Sequence, residues 1–342
     1  VETIAEEIQI ISLCFCISLV LCVLIIAVSK RYSLFIDSAT SNKPQRFHIH
    51  ETPRAGGIGI FIAFWVMLIY FYIHNIQLLL IMCGGSIIFA SGLIEDFKGN
   101  LSPKMRLFMQ CVATFGVCAL LNVYLKDLSL GFTLPYIIGL FFTTFALVGV
   151  SNAMNIIDGF NGLASGICLL ILCAIAYVAY DVQDMEIFYC SLALIGAVFG
   201  FFVCNFPFGY IFLGDGGAYF LGFIIGILLV LLTQRQDCIS AFFGLSVMIY
   251  PVWEVLFSIW RKSYKRKQSA TEPDKVHLHM LIFKRITRNN AYTSLVICAF
   301  CLPFVVLSVF FYHHTSILLL LCAVFVLGYS YFYTKLIRFK FK

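Results

Sequence analysis

Charge is what this chain has least of. Asp, Glu, Lys and Arg make up 12% of its 342 residues, against 61% hydrophobic residues and a mean hydropathy of +0.97. A soluble domain carries roughly 25% charged residues. Half that is too little to coat a water-facing surface, so the solvent is read as a bilayer. Paired metal-ligand spacing and solenoid-type repeats are also missing, which removes zinc modules and repeat arrays from consideration. Thirteen of the fourteen Cys lie inside apolar runs, and the one C-x-x-C spacing, Cys298 and Cys301, is flanked by LVI and LPF. Free Cys behaves there as a small hydrophobe. The first apolar run lacks a small-residue cleavage site and reads as a retained helix.

What is present is apolar length. A transmembrane helix needs about 20 mostly apolar residues. Eleven runs qualify: 8–28, 56–73, 78–94, 107–125, 134–150, 162–180, 187–206, 217–233, 239–259, 291–312 and 315–333. The expectation is an all-α integral membrane protein, one multi-pass domain over 1–342 with about 11 transmembrane helices.

The 23 Lys and Arg are not spread evenly between the connections. The segments 29–55, 95–106, 260–290 and 334–342 hold all but two of them; the opposite set holds only Lys126 and Arg235. Positive loops stay in the cytoplasm. The N-terminus is therefore expected outside and the C-terminus inside. The net charge of +6 then sits on one membrane face, suited to anionic headgroups and substrates rather than to nucleic acid.

The unusual polar stretches fall on that same face: RFHIHETPRAGG (46–57), GLIEDFKGNLSPKMRLFMQ (92–110), NAMNIIDGFNGLASG (152–166), FLGDGGAYFLG (212–222) and EPDKVHLHMLIFKR (272–285). A transporter or lipid flippase needs polar groups in mid-membrane and access from both faces. One-sided chemistry favours an enzyme with a cytoplasmic substrate. The motif loops are 29–55, 95–106, 151–161, 207–216 and 260–290.

Two of these loops, 151–161 and 207–216, have no Lys or Arg and one Asp each, Asp158 and Asp215. A carboxylate beside hydrocarbon is functional by default; the plainer reading of Asp215 is a helix N-cap. Glu95, Asp96, Asp158 and Asp215 are hard oxygen donors of the kind Mg²⁺ takes, one or two at a time, together with substrate phosphates. Lys104, Arg106, His277, His279 and Arg285 could neutralise a diphosphate. Acids, a divalent cation and cationic clamps are the parts of phosphoryl transfer. The three-residue spacing of Asn152, Asn155, Asp158 and Asn161 is expected to turn one polar side to a wet site, and the helix beginning near Gly162 to point its N-terminus at an anion. Glu254 and Arg261, seven apart, would share a helix face as an ion pair or as substrate groups.

Together these blocks resemble the polyprenyl-phosphate N-acetylhexosamine-1-phosphate transferase family, over about residues 30–330 and in the family's order. The resemblance implies a bundle of ten or eleven spans in a bacterial plasma membrane. It implies transfer of a sugar-1-phosphate from a UDP-N-acetylhexosamine to undecaprenyl phosphate, with Mg²⁺ (Mn²⁺ as the alternative) and release of UMP. That is the first membrane step of O-antigen or another surface polysaccharide. It assigns the acidic pair to Glu95 and Asp96, acting on lipid phosphate or metal. It assigns Asn155 and Asp158 to the NxxNxxDGxDGLA block, the metal aspartate to Asp215, and the nucleotide-side histidines to His277 and His279. The HxxxTPRxGG block supplies His48 and Arg54. Catalysis is thus expected from Glu95, Asp96 and Asp158, and metal binding from Asp215 and Asp158. Substrate contacts are expected from His48, Arg54, Lys104, Arg106, Asn152, Asn155, Asn161, His277, His279 and Arg285. Three positions depart from the pattern. Glu95 replaces an Asp, Asn161 replaces the second aspartate and is expected to ligate nucleotide or sugar, and Met280 replaces a third His. TPRAGG and the missing third His favour the UDP-GlcNAc branch, with UDP-GalNAc or a deoxy-amino-sugar as the alternative donor. A CDP-alcohol phosphotransferase would need DG-x₂-AR, which DGFNGLA lacks. A homodimer is admitted.

Overall fold

The computed structural model describes residues 2–32, 36–37, 52–266 and 276–338. Apart from a two-residue pairing of β1 (Ile36–Asp37) with β2 (Thr52–Pro53) and a single bridge between Asp127 and Thr133, the regular structure among these residues is helical. In chain order they are α1 (Glu2–Tyr32), α2 (Gly57–Tyr72), α3 (Ile76–Lys98), α4 (Pro103–Leu121), α5 (Tyr136–Ile157), α6 (Leu163–Asp181), α7 (Met185–Asn205), α8 (Gly214–Arg235), α9 (Phe242–Val247), α10 (Ile249–Trp260), α11 (Leu278–Ile282), α12 (Asn290–Phe310) and α13 (Thr315–Arg338).

Among the described residues, nine helices are long and apolar enough to cross a membrane. The expected count of eleven differs at two places. The run 56–73 yields α2, whose 16 residues reach about 24 Å at 1.5 Å per residue, short of a hydrocarbon core of about 30 Å. The run 239–259 is broken at Met248 into α9 and α10. Pro251 has no N–H to donate, so it belongs in the first turn of a new helix rather than inside a continuous one.

The centre of the bundle is α8, buried from Gly216 to Thr233 and packed on α2, α3 and α5. Small residues allow the approach. A methyl group at Gly92 of α3 would come within 2.5 Å of the Asp215 carbonyl carbon, and one at Gly57 of α2 within 2.7 Å of Gly217 N. Around this centre α1 packs on α7, α6 on α7 and α12, and α13 on α9. At one end of α8, Arg235 ties Gln77, Asp184 and Glu186 together. At the other stands Asp215. The 22 residues of α8 span about 33 Å, so its two polar ends lie a membrane thickness apart.

Candidate active site

Three local signals bring the site residues to the Asp215 end. The first is the turn between α3 and α4. Gly99 ends α3 in the left-handed region (φ 64°), and Ser102 caps α4 by accepting from Met105 N with Pro103 at the first helical position. This is the usual asymmetry of a Gly stop and a Ser-Pro start. It sets Asp96 at the end of one helix close to Arg106 at the start of the next. Glu95 closes the turn, its Oε2 accepting from Leu101 N at 3.0 Å.

The second is the strap formed by TPRAGG. Phe212 N donates to Pro53 O (2.8 Å), Gly56 N to Phe212 O (2.8 Å) and Gly57 N to Leu213 O (2.9 Å). Arg54 is thereby fixed beside the α8 N-terminus. Gly214 is required between them. It has φ 80°, and a Cβ would meet Arg54 O at 2.6 Å and the Asp96 carboxylate at 2.7 Å.

The third is the end of α5. Asn155 lies in its last turn, and Asp158 leaves the helix with φ −76° and ψ 57°.

Asp215 is the node of the cluster. Its Oδ1 accepts from Arg54 Nη2 at 3.1 Å and from Asn155 Nδ2 at 3.0 Å; its Oδ2 is paired with Arg106 Nη1, which also reaches Tyr219 OH at 3.3 Å. Asp215 does not cap its own helix. That task falls to Asp96, whose Oδ2 accepts from Gly216 N at 3.0 Å, a favourable place for a negative charge. Asp96 Oδ1 lies 3.8 Å from Arg54 Nε and is buried with no hydrogen-bond partner among the described residues. Burial works against the Arg54 charge, but Asp215, Asp96, Asp158 and Glu95 outweigh it and hold the guanidinium above its usual value.

Burial, opposed by Arg54 and reinforced by Asp215 and Asp96, pushes the Asp158 carboxyl up to about 7, against about 3.9 in an unfolded chain. Between these values the folded chain holds a proton that the unfolded chain has released, so stability falls as pH rises through the window. Asp158→Asn is therefore expected to raise the Tm of the metal-free protein at about pH 8, and to give little at about pH 4. A lower Tm at the higher pH, or a gain independent of pH, would contradict this.

The histidines join from a second layer. His277 and His279 are buried, with rings stacked 5.3 Å apart. Glu254 Oε1 pairs with His277 Nδ1 (2.9 Å) and accepts from Leu278 N (3.0 Å). This replaces the expected pairing with Arg261, which instead donates to Val276 O and Tyr333 OH. His279 Nδ1 meets Tyr250 OH at 3.3 Å. Its Nε2 has no partner among the described residues and would lie 3.5 Å from a Cβ at Gly159, next to Asp158. Burial, opposed by Glu254 and reinforced by His277, pushes His279 down to about 3, so it stands here as a neutral hydrogen-bonding group rather than a cation.

The structure thus gathers Arg54, Asp96, Arg106, Asn155, Asp158 and Asp215, with His279 adjoining. Other expected site residues stand elsewhere. Asn152 donates to Gln110 Oε1 (2.7 Å). Asn161 donates to Pro207 O (3.0 Å), and its backbone N–H to Asn290 Oδ1 (2.6 Å). Asn161 clamps the 207–209 turn in this structure. The Gly162 N–H is taken by Asn205 Oδ1 at 2.6 Å, so this N–H is not left for an anion. Lys104 is exposed, and Arg285 half-buried on the turn Phe283–Thr287. His48 lies outside the described residues. Tyr219 is a site neighbour that the sequence reading did not single out. It stands one turn after Asp215, so i+4 spacing was the available signal.

Comparison with known proteins bears on this arrangement. Residues 78–233 match the model of glycosyl transferase family 4. The chain is 30% identical to a probable undecaprenyl-phosphate N-acetylglucosaminyl 1-phosphate transferase of Bacillus subtilis, over 78% of this chain and 75% of that one. It is 25% identical to the undecaprenyl-phosphate alpha-N-acetylglucosaminyl 1-phosphate transferase of Yersinia pestis, over 80% and 77%. It is 26% identical to the protein of that name from Escherichia coli K12, over 81% and 79%.

Proposed function

The chain belongs to glycosyl transferase family 4, and on that premise we propose that it transfers GlcNAc-1-phosphate from UDP-GlcNAc to undecaprenyl phosphate, releasing UMP. It does so as one unit at the cytoplasmic face of a bacterial plasma membrane, and opens the synthesis of O-antigen or another surface polysaccharide. The supporting observation is the node at the end of α8, where Arg54 and Arg106 flank Asp215 beside Asp96 and Asp158.

Two guanidiniums supply the positive charge that a nucleotide diphosphate needs, and the forked geometry of Arg suits phosphate oxygens. The lipid phosphate is the nucleophile towards the β-phosphorus. A phosphate monoester is largely dianionic at neutral pH, with a second pKa of about 6. The demand on Asp96 or Glu95 is therefore to orient it more than to deprotonate it. Asn155 holds Asp215 from α5, and Asp158 adds an acid from the same helix end.

The donor set fits Mg²⁺. Among the described residues no three His, Cys, Asp or Glu side chains converge as a preformed cage, and Mg²⁺ is usually held by one or two carboxylates plus substrate phosphates. Asp96 Oδ1, buried and without a hydrogen-bond partner among the described residues, marks spare oxygen capacity beside Asp215. Asp215 and Asp158 would hold the ion, with Mn²⁺ fitting the same oxygens. Bound there, the cation would take charge off the departing UMP.

The test is UMP release by purified chain in detergent with undecaprenyl phosphate, Mg²⁺ and a panel of UDP-sugars. Release from UDP-GlcNAc alone is the expected result. Release only from UDP-GalNAc or a deoxy-amino-sugar would move the donor, and release from none of them would reject the reading.

A further inference from the structure

Four consecutive residues, Val276 to His279, are each held by side chains from α10, from the turn after it or from α13. Arg261 Nη1 donates to Val276 O at 2.6 Å, and Tyr333 OH donates to the same oxygen at 3.0 Å. Glu254 Oε1 takes both the His277 ring and the Leu278 N–H, and Tyr250 OH meets His279 Nδ1. Tyr250, Glu254, Arg261, Tyr333 and both histidines are buried. Tyr250 and Glu254, four apart, share one side of α10. The break at Met248 makes α10 a helix of its own, free to aim that side at the histidines rather than along α9.

Packing alone does not account for Glu254. It lies in the apolar stretch PVWEVLFSIW, and its Oε2 has no hydrogen-bond partner among the described residues. An acid in such surroundings is costly, and well-packed apolar groups often serve stability as well as a buried charge pair or better. What an apolar side chain cannot do is set a ring. An ionised carboxylate only accepts, so His277 presents Nδ1–H to it. The imidazole then cannot flip without breaking that bond, and the His279 ring lies parallel to it, with 4° between the planes.

His279 is the ring that reaches the site. Its Nε2 has no partner among the described residues and would lie 3.5 Å from a Cβ at Gly159, next to Asp158. Phe160 holds the ring edge to face, with centroids 5.5 Å apart. Phosphate oxygens are acceptors, and a neutral imidazole serves them only with its proton on Nε2. Nδ1 is then the acceptor, which makes Tyr250 OH the donor. We propose that Tyr250 and Glu254 are positioning residues for the nucleotide sugar: Glu254 fixes His277 and the start of α11, and Tyr250 sets His279 so that its Nε2–H is presented to an oxygen of the diphosphate. Both act through the imidazoles. The inference rests on the transferase reading above and adds the helix that orients its histidines.

The test uses the full chain in detergent and separate Michaelis curves for UDP-GlcNAc and undecaprenyl phosphate. Glu254→Leu removes the acceptor. It is expected to raise KM for UDP-GlcNAc about tenfold, with KM for undecaprenyl phosphate held within about twofold. Glu254→Gln keeps a carbonyl oxygen for both donors and should return KM to within about threefold of wild type. Tyr250→Phe, nearly isosteric, should raise the same constant about fivefold, and serves if Glu254→Leu does not fold. Added to His279→Gln, Tyr250→Phe should cost less than about twofold more, because its effect runs through that ring. An equal rise in both KM values, full additivity with His279→Gln, or unchanged constants in the folded variants would overturn the assignment. Thermal shift by UDP with Mg²⁺ needs no turnover and should be larger for wild type than for Tyr250→Phe. That order without UMP release by wild type would reject the reaction and keep the positioning role; equal shifts would reject the role.

Discussion

Asp215→Asn is expected to lower UMP release at least a hundredfold while the chain stays folded. The substitution keeps the shape and removes one charge, at the point where Arg54, Arg106 and Asn155 converge. Its amide nitrogen would face donors on both sides. Breaking a fully buried ion pair costs about 3–5 kcal/mol. Here the side chains are 13–31% exposed, so a screened cost of about 1–2 kcal/mol to stability is the better figure. The loss of turnover asks for more, about 2.7 kcal/mol at 1.36 per tenfold, because the same carboxylate would hold the cation that takes charge off the leaving group. A loss under tenfold in folded protein would remove Asp215 from the centre of the mechanism.

The second large effect is expected at Gly92. A methyl group there would meet the backbone of Asp215 and Gly216, and backbone cannot swing aside as a flexible side chain can. Overpacking of a core typically costs about 1–3 kcal/mol. At Gly92 the displaced atoms are those that carry Asp215, so Gly92→Ala should lower Tm and cut activity more than tenfold together. Gly116 of α4 is the matched control. A methyl there meets nothing within 4 Å, and Ala is favoured over Gly inside a helix by about 1 kcal/mol. Gly116→Ala should hold or raise Tm with activity kept. Equal behaviour of the two variants would contradict the close α3–α8 approach.

The gathering of the five polar stretches is legible in the sequence, since a carboxylate or guanidinium beside a membrane-length apolar run has few bland explanations. Arg54, Asp96, Arg106, Asn155 and Asp215 accordingly meet where the patterning put them. What fails is helical phase carried past a helix end. Asn161 follows Asp158 by three residues, but α5 stops at Ile157, and the chain then turns Asn161 to Pro207. Arg261 follows Glu254 by seven, but Trp260 ends α10 and Arg261 opens a wider turn, which leaves Glu254 to His277. Partner choices of this kind come from tertiary packing, and local spacing cannot set them. The break at Met248 was signalled by Pro251 and hidden by the apolar residues on either side of it.

The most direct test of the central claim follows the β-phosphate of the donor. With UDP-GlcNAc labelled at the β-phosphorus, undecaprenyl phosphate and Mg²⁺, the label should move into the organic extract together with GlcNAc, while unlabelled UMP appears in the aqueous phase. Label that stays in water as UDP, with the sugar alone passing to lipid, would mean that the bond broken is the glycosidic one and would contradict sugar-1-phosphate transfer.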